Sequence, residues 1–301
     1  MRGQRYMTVA VRAPTDDIVL KTEALPRHIY RGRLTKIPIL RGSLLLWDAL
    51  VLGFRALSFS ADVAMGETEP VEKGGSLLTW ITAGIGMLLG IGLFFILPAS
   101  LTVPVHTWTN SATLANVIEG VIRVALLVGY IAVIGLLPDI RRVFMYHGAE
   151  HKAINAFEAG SPLHPTEVLT FSKRHPRCGT NFLLIVAVLS VAVFAAIGRP
   201  DSWLILLGSR VLLIPLIAGI AFEFIRWSAT HLNHPAVALA MQPGLALQAI
   251  STRDPDSRQV QVAIRALEEL IRLEQQREQR DAAPIRDSGA TPNSEDSAQP
   301  T

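Results

Sequence analysis

Long stretches without a charged residue constrain this fold more than any other feature. The segment Leu77–Leu97 contains no Asp, Glu, Lys or Arg. As a helix it is about 31 Å long, which matches the hydrocarbon thickness of a bilayer. Half of the chain is hydrophobic and only 18% is charged. An ordinary soluble domain does not contain such a segment, so the sequence predicts an α-helical membrane protein.

Further apolar stretches predict that the chain crosses the membrane about four times. They are Val117–Leu137, Asn181–Ile197 and a stretch that begins between Leu204 and Arg210 and ends near Trp227. Together with the first stretch they define a membrane domain over residues 77–227. We therefore expect an all-α polytopic protein with about four transmembrane helices.

The N-terminal part of the chain is expected to lie at or outside the membrane. Residues 42–65 are apolar but contain Asp48, Arg55 and Asp62, which predicts an interfacial amphipathic helix rather than a fifth span. Within the segment 1–41, alternating apolar residues flank a turn-forming Pro-Thr-Asp-Asp tetrapeptide. This pattern predicts a small β-hairpin.

The C-terminal part is predicted to be helical and then disordered. Within the region 228–280, the apolar residues of Ser257–Arg280 recur at helical spacing, which indicates an amphipathic helix. Residues 281–301 are rich in Asp, Ser, Pro, Ala and Thr, a composition typical of a disordered tail.

The distribution of Lys and Arg predicts the orientation. Eleven of them precede the first span and six lie in the loop 138–179, whereas the other two connections contain only Arg199. By the positive-inside rule, both termini and this loop should face the cytoplasm, as in a bacterial inner-membrane protein. The net charge of +3 then reflects proximity to anionic membrane lipids, and it does not require a nucleic-acid partner.

The loop 138–179 contains the strongest chemical motif, His-Gly-Ala-Glu-His-Lys at residues 147–152. His147 and His151 lie one helical turn apart, so both rings can reach one ion. The H-x-x-E-H pattern is the reverse of the zinc-binding H-E-x-x-H helix, and Glu150 would accept a proton from water at the metal. A hydrogen-bonded His pair is the alternative interpretation.

Three other residues are candidate ligands that would complete such a site. Glu223 is an ionisable residue near the end of an apolar helix, where a carboxylate requires a partner; pairing with Arg226 or Arg210 is the alternative. His175 and Cys178 precede the third span and have a spacing that suits zinc. Cys178 is the single cysteine, so an internal disulfide is impossible.

Several motifs together resemble the bacterial membrane family called domain of unknown function 1385, the YqhQ-like proteins. They are Tyr-His-Gly-Ala-Glu-His-Lys at 146–152, His-Pro-Arg-Cys-Gly-Thr at 175–180, Glu223 with Arg226, and Pro-Gly-Leu and Thr-Arg-Asp-Pro within 243–255. The resemblance extends to about Ala266 and implies a metal-dependent enzyme. The chain departs from it at Met1-Arg2-Gly3, where a Gly-rich stretch usually leads into this motif, and at Asp48, where Glu is frequent.

We therefore expect a divalent metal, most simply zinc, and hydrolysis of a lipid or a membrane-associated peptide at the cytoplasmic membrane surface. His147 and His151 would bind the metal, Glu223, His175 or Cys178 would complete the site, and Glu150 would be the general base. The alternative is a non-enzymatic scaffold in which these residues form a structural polar or metal cluster, and the C-terminal amphipathic helix recruits a protein partner.

Overall fold

A computed structural model describes residues 1–26, 37–66, 77–200 and 202–282. It begins with an antiparallel hairpin of β1 (Tyr6–Arg12) and β2 (Ile18–Ala24). Asp16 adopts a left-handed conformation in the turn, with φ of 75°, a conformation that Asp tolerates better than most residues. The predicted hairpin is confirmed. The predicted disordered tail lies outside the described residues from 283 onward.

All other regular elements of the described chain are helices. Its elements are α1 (Leu40–Ala64), α2 (Leu77–Ile91) with a π-helical turn (Gly92–Ile96), α3 (Leu97–Leu101), α4 (Val103–Thr109), α5 (Ala112–Ile134), α6 (Pro138–Glu158), α7 (Pro165–Val168), α8 (Gly179–Ile197), α9 (Trp203–Leu212), α10 (Ile214–Thr230), α11 (Pro235–Ser251) and α12 (Ser257–Ala282). The expected class, a helical protein with a small N-terminal β element, is confirmed.

Five helical stretches are long and apolar enough to cross a membrane. They are Leu40–Ala64, Ile81–Thr109, Ala112–Ile134, Gly179–Ile197 and Trp203–Thr230. Four of them correspond to the predicted spans. The first predicted span ends at Leu97, but the helical stretch continues because Pro98 and Pro104 occupy the first turns of new helical segments. Proline is tolerated there, since those N–H groups have no intrahelical acceptor.

The fifth stretch is α1, for which the sequence predicts an interfacial position. Its beginning packs closely against α10, where a Cβ on Gly42 would lie 2.9 Å from the backbone of Gly219. Farther along, Phe59 and Val63 pack against Ala13 of the hairpin. A two-stranded sheet has open edges that cannot be satisfied in hydrocarbon. The predicted interfacial position of α1 stays a prediction, because α1 contacts both the hairpin and the apolar helix α10, and its length and composition suit a membrane crossing.

The helix α6 joins the membrane domain to the unit that it forms with α7, α12 and the hairpin, none of which is among the five apolar stretches; we call this the extramembrane unit. It starts at Pro138, directly after α5, and ends before Gly160, which has φ of +69°. Both boundaries are predictable from the sequence, because proline is frequent in the first turn of a helix and glycine just after its end. Three fully buried alanines on one face of α6, Ala149, Ala153 and Ala156, pack against the apolar face of α12. This packing buries the apolar face of α12 within the chain.

A group of buried ionic residues holds the membrane domain together at the ends of its helices that are remote from α6. The Glu119 carboxylate lies 2.7 Å from Arg123, 2.9 Å from Arg210 and 3.5 Å from Arg199. All four side chains are at most 3% exposed. One carboxylate therefore serves three guanidinium groups, which join α5, α9 and the connection that follows α8.

The variant Glu119→Gln should be strongly destabilised because it leaves three arginines buried without a counter-ion. Breaking a buried ion pair typically costs about 3–5 kcal/mol. Thermal unfolding of the detergent-solubilised protein measures this loss, with Glu167→Gln on the exposed surface of α7 as the control. Equal unfolding temperatures for the two variants would show that Glu119 contributes little to stability.

Candidate metal centre

The structure brings three potential metal ligands together beside the membrane domain. His147 and His151 project from successive turns of α6, with ring centroids 4.4 Å apart. Cys178 immediately precedes α8, and its Sγ lies 3.2 Å from Nε2 of His147. One ligand atom from each of these residues lies within 4.8 Å of the other two. We call this group the His-His-Cys cluster.

Backbone carbonyls orient both imidazoles toward the centre of the cluster. His147 Nδ1 lies 3.0 Å from the Ser251 carbonyl, and His151 Nδ1 lies 2.7 Å from the Lys173 carbonyl. A carbonyl only accepts hydrogen bonds, so each Nδ1 carries the proton and donates it. In the neutral tautomers, each Nε2 carries a lone pair that can bind a metal; without a metal, Nε2 of His147 forms a hydrogen bond with Sγ of Cys178. Metal-binding histidines are typically oriented in this way.

Gly148, inside the motif, allows the carbonyl of Ser251 to reach His147. A Cβ at Gly148 would lie 2.1 Å from the Arg253 carbonyl oxygen. The Arg253 N–H also donates to the Phe144 carbonyl at 2.9 Å. Any larger residue would therefore push the connection between α11 and α12 away from α6.

Two further residues of α6 hold the loop that contains the Lys173 carbonyl. Lys152 Nζ donates to the carbonyls of Leu169 and Phe171, at 2.8 and 2.6 Å. Asn155 Nδ2 donates to the carbonyls of Ser172 and Arg174, at 2.7 and 3.0 Å. Lys152 is buried, and this burial lowers its pKa.

No sequence motif by itself predicts a role for Lys152 or Asn155. They follow His151 by one and four positions, so a helix that carries the motif places them near the histidines. Their acceptors are main-chain carbonyls of a loop whose path is not encoded in any local pattern. A buried Gln248 was missed in the same way; it bonds both the N–H and the carbonyl of His175, each at 2.8 Å.

The cluster stabilises the thiolate form of Cys178. Burial by itself raises the pKa of the thiol, but hydrogen bonds from His147 and His151 outweigh burial and lower the pKa to about 5. For His147, burial lowers the pKa, but the hydrogen bond and charge of Cys178 produce a net increase. Cys178 is therefore a thiolate at neutral pH, which is the form that binds metals.

His175 lies next to the cluster but has another role. Its ring is buried and its centroid lies 5.8 Å from that of His151. The Arg177 N–H donates to Nδ1 at 3.3 Å, and Nε2 faces a Glu158 carboxylate oxygen at 3.5 Å. Both nitrogens therefore have protein partners, and burial lowers the pKa of the ring. In this structure the His175 ring forms hydrogen bonds within the protein and is not part of the His-His-Cys cluster.

The structure does not bring Glu223, one of the three candidate ligands, to the cluster. This residue lies on α10 and forms a salt bridge with Arg41 at the beginning of α1, with Arg41 Nε 2.7 Å from the carboxylate. Arg41 and Glu223 are 182 positions apart in the chain, so no helical spacing relates them. Cys178 takes the third position instead, and Arg210, an alternative partner considered for Glu223, binds Glu119.

Glu150 faces a cleft that opens onto the cluster. The cleft has a volume of about 720 Å³ and lies between α6, α12 and the N-terminal residues. Its lining includes Glu150 and all three residues of the cluster. The Glu150 side chain is 42% exposed, and its charge helps to raise the pKa of His147. A carboxylate in this position can exchange protons with solvent.

The ultraviolet absorbance of the Cys178 thiolate should titrate with a midpoint near pH 5 in metal-free protein. Below this pH the thiolate is protonated and the absorbance is lost. His147→Ala removes the stabilising hydrogen bond and should move the midpoint up toward the ordinary range of about 8.5. Because Cys178 is the single cysteine, Cys178→Ser provides the blank. An unshifted midpoint in His147→Ala would contradict the proposed pairing.

Comparison with known proteins identifies the family. Residues 37–273 match the family model described as Protein of unknown function (DUF1385). A protein of Bacillus subtilis (strain 168), described as Uncharacterized protein YqhQ, is 36% identical over 291 residues, which cover 92% of this chain and 90% of the relative. No solved structure matches the chain significantly. The extent of both matches shows that the chain belongs to the DUF1385 family.

Proposed function

We propose that this protein is a metal-dependent hydrolase, most simply a zinc enzyme, that acts at the membrane surface. This proposal rests on one observation: a ligand atom from each of His147, His151 and Cys178 lies within 4.8 Å of the other two, and backbone carbonyls hold both Nδ1 atoms. Imidazole and thiolate are the ligands that zinc prefers. Three protein ligands leave a fourth position open, as in catalytic rather than structural zinc sites.

The proton chemistry would be carried out by Glu150. A bound divalent cation would supply Lewis acidity and make a water molecule more acidic. Glu150 lies one residue before His151 and lines the same cleft, so its carboxylate can accept a proton from the attacking water and return it to the leaving group. Its partial exposure allows that proton to exchange with bulk solvent.

The position of the cleft favours an amphiphilic substrate. Cys178 stands directly before α8, one of the apolar stretches, so the cluster lies close to the membrane boundary. The cleft combines acidic residues with apolar side chains such as Phe157, Leu267 and Ile271. A lipid or a membrane-associated peptide presents both kinds of group. The distribution of Lys and Arg favours the cytoplasmic face of a bacterial inner membrane.

A scaffold role is the second candidate, and the network around the cluster favours it. Through hydrogen bonds to the carbonyls of Ser251 and Lys173, His147 and His151 also hold the end of α11 and the loop before α8 against α6. The same residues would then stabilise the extramembrane unit without catalysis. Because the apolar face of α12 packs within the chain, a protein partner would have to bind a polar surface.

Metal analysis distinguishes a metal site from a purely hydrogen-bonded cluster. Protein purified without a His tag should contain about one zinc per chain by mass spectrometry, because three oriented ligands are available. His147→Ala/His151→Ala should lose this metal. The matched control His164→Ala/His234→Ala removes two exposed histidines outside the cluster and should retain it. Wild-type protein that stays empty after incubation with zinc, manganese and iron would overturn the metal assignment.

Glu150→Gln separates catalysis from metal binding. This variant should retain its metal, because Glu150 is not one of the ligands, but it should lose about 10²- to 10⁴-fold in hydrolytic rate. The assay offers metal-loaded protein a panel of phospholipids and membrane-anchored peptides, with products detected by mass spectrometry. Glu268→Gln, an exposed carboxylate on α12 outside the cleft, serves as the control. Hydrolysis at the wild-type rate in Glu150→Gln would exclude it as the base.

A further inference from the structure

A second cleft lies where the chain passes from α5 into α6. Its volume is about 450 Å³, and its lining includes four arginines that come from three separate elements. Arg141 and Arg142 belong to the first turns of α6, Arg12 ends β1, and Arg258 lies at the beginning of α12. We call this site the basic cleft. None of its lining residues also lines the cleft of the His-His-Cys cluster.

The positive charge of the basic cleft is only partly neutralised. Arg12 and Arg258 share the carboxylate of Asp16. Arg141 and Arg142 are exposed, and neither has a carboxylate partner within 4 Å among the residues that the structure describes. Asp256 is the one acidic residue in the lining, and it accepts a hydrogen bond from the Gln259 N–H at 2.7 Å. The cleft therefore carries a net positive charge.

The beginning of α6 also lines this cleft, and its first turn contains Asp139, whose charge offsets part of the helix-end potential. Pro138 is in the first turn of this 21-residue helix and lines the cleft. The unpaired N–H groups of a helix N-terminus carry a partial positive charge that favours anions. The Arg142 guanidinium lies 6.0 Å from the ring of Tyr146, another lining residue. The guanidinium groups can bind phosphate oxygens in a bidentate manner.

Exposed apolar residues beside the basic cleft favour a position at the membrane boundary. The apolar helix α5 ends at Ile134, and Leu136, which also lines the cleft, is 75% exposed. Val133, one turn earlier on α5, is 65% exposed. A headgroup in the cleft would therefore lie directly beside a surface on which acyl chains can pack. A soluble anion would gain nothing from that apolar surface.

We propose that the basic cleft binds the headgroup of an anionic phospholipid, with its phosphate between Arg141 and Arg142 and its acyl chains along α5. Charge complementarity selects the headgroup, and the exposed leucine and valine select a lipid over a free anion. The proposal depends on the membrane location of α5 and not on metal binding or hydrolysis.

Lipid titration followed by native mass spectrometry tests this proposal. The full-length protein in a neutral detergent should bind one phosphatidylglycerol more tightly than phosphatidylcholine. Arg141→Gln/Arg142→Gln should weaken phosphatidylglycerol binding about 25-fold, because each arginine near an anionic surface contributes a factor of about five. The matched control Arg265→Gln/Arg280→Gln removes two exposed arginines outside the basic cleft and should bind as the wild type does.

Two control measurements show whether a loss of lipid binding is specific to the basic cleft: the stability and metal content of the variants, and competition by inorganic phosphate. Thermal unfolding and metal content of both double variants should match the wild type, which separates lipid binding from folding and from the His-His-Cys cluster. Inorganic phosphate should displace phosphatidylglycerol only at far higher concentration than the lipid itself. Equal phosphatidylglycerol affinity in Arg141→Gln/Arg142→Gln would overturn the proposal. Displacement by phosphate at concentrations similar to those of the lipid would overturn it in favour of a site for free anions.

Discussion

The close approach of small residues on α6 to their neighbours is the interaction on which the extramembrane unit depends. Three buried alanines let α12 pack against the helix, and Gly148 lets the Arg253 carbonyl come within a distance that any side chain would block. This packing brings the Ser251 carbonyl to His147. The candidate site is therefore a consequence of helix packing, because its ligands are oriented by backbone groups that the packing delivers.

The two groups of buried ionisable residues differ in the partners of their polar atoms. In the membrane domain, Glu119 is surrounded by three arginines at most 3% exposed, and all their main partners are within the domain, which suits a structural role. At the His-His-Cys cluster, hydrogen bonds keep the thiolate of Cys178 stable despite its burial, and backbone carbonyls contact the Nδ1 atoms, so that the Nε2 atoms face the cluster. The arrangement at the His-His-Cys cluster is the one that favours binding of a metal ion.

The helix α6 connects two sites of different chemistry. Its first turns line the basic cleft and its third and fourth turns carry the histidine pair. Because α6 follows the apolar helix α5 directly, a membrane position of α5 would bring both sites near the membrane boundary. An anionic lipid in the first cleft would hold α6 at the membrane surface, and an amphiphilic substrate could then enter the second cleft from the same surface. These two proposals support each other but depend on different residues.

Much of this protein could be predicted from local sequence patterns. The apolar stretches, the hairpin around Asp16, the limits of α6 and the one-turn spacing of His147 and His151 depend on interactions between residues close in the chain, and a helix or a turn converts that spacing directly into geometry. Tertiary structure decides which residue occupies the third ligand position of the cluster. Cys178 contacts His147 although they are 31 residues apart in the chain, and Glu223 is paired with Arg41, which is 182 residues away. The same is true of the carbonyls that orient the imidazoles and of the four arginines that form the basic cleft. Their meeting depends on how helices and loops pack, and sequence spacing carries no information about contacts between distant elements.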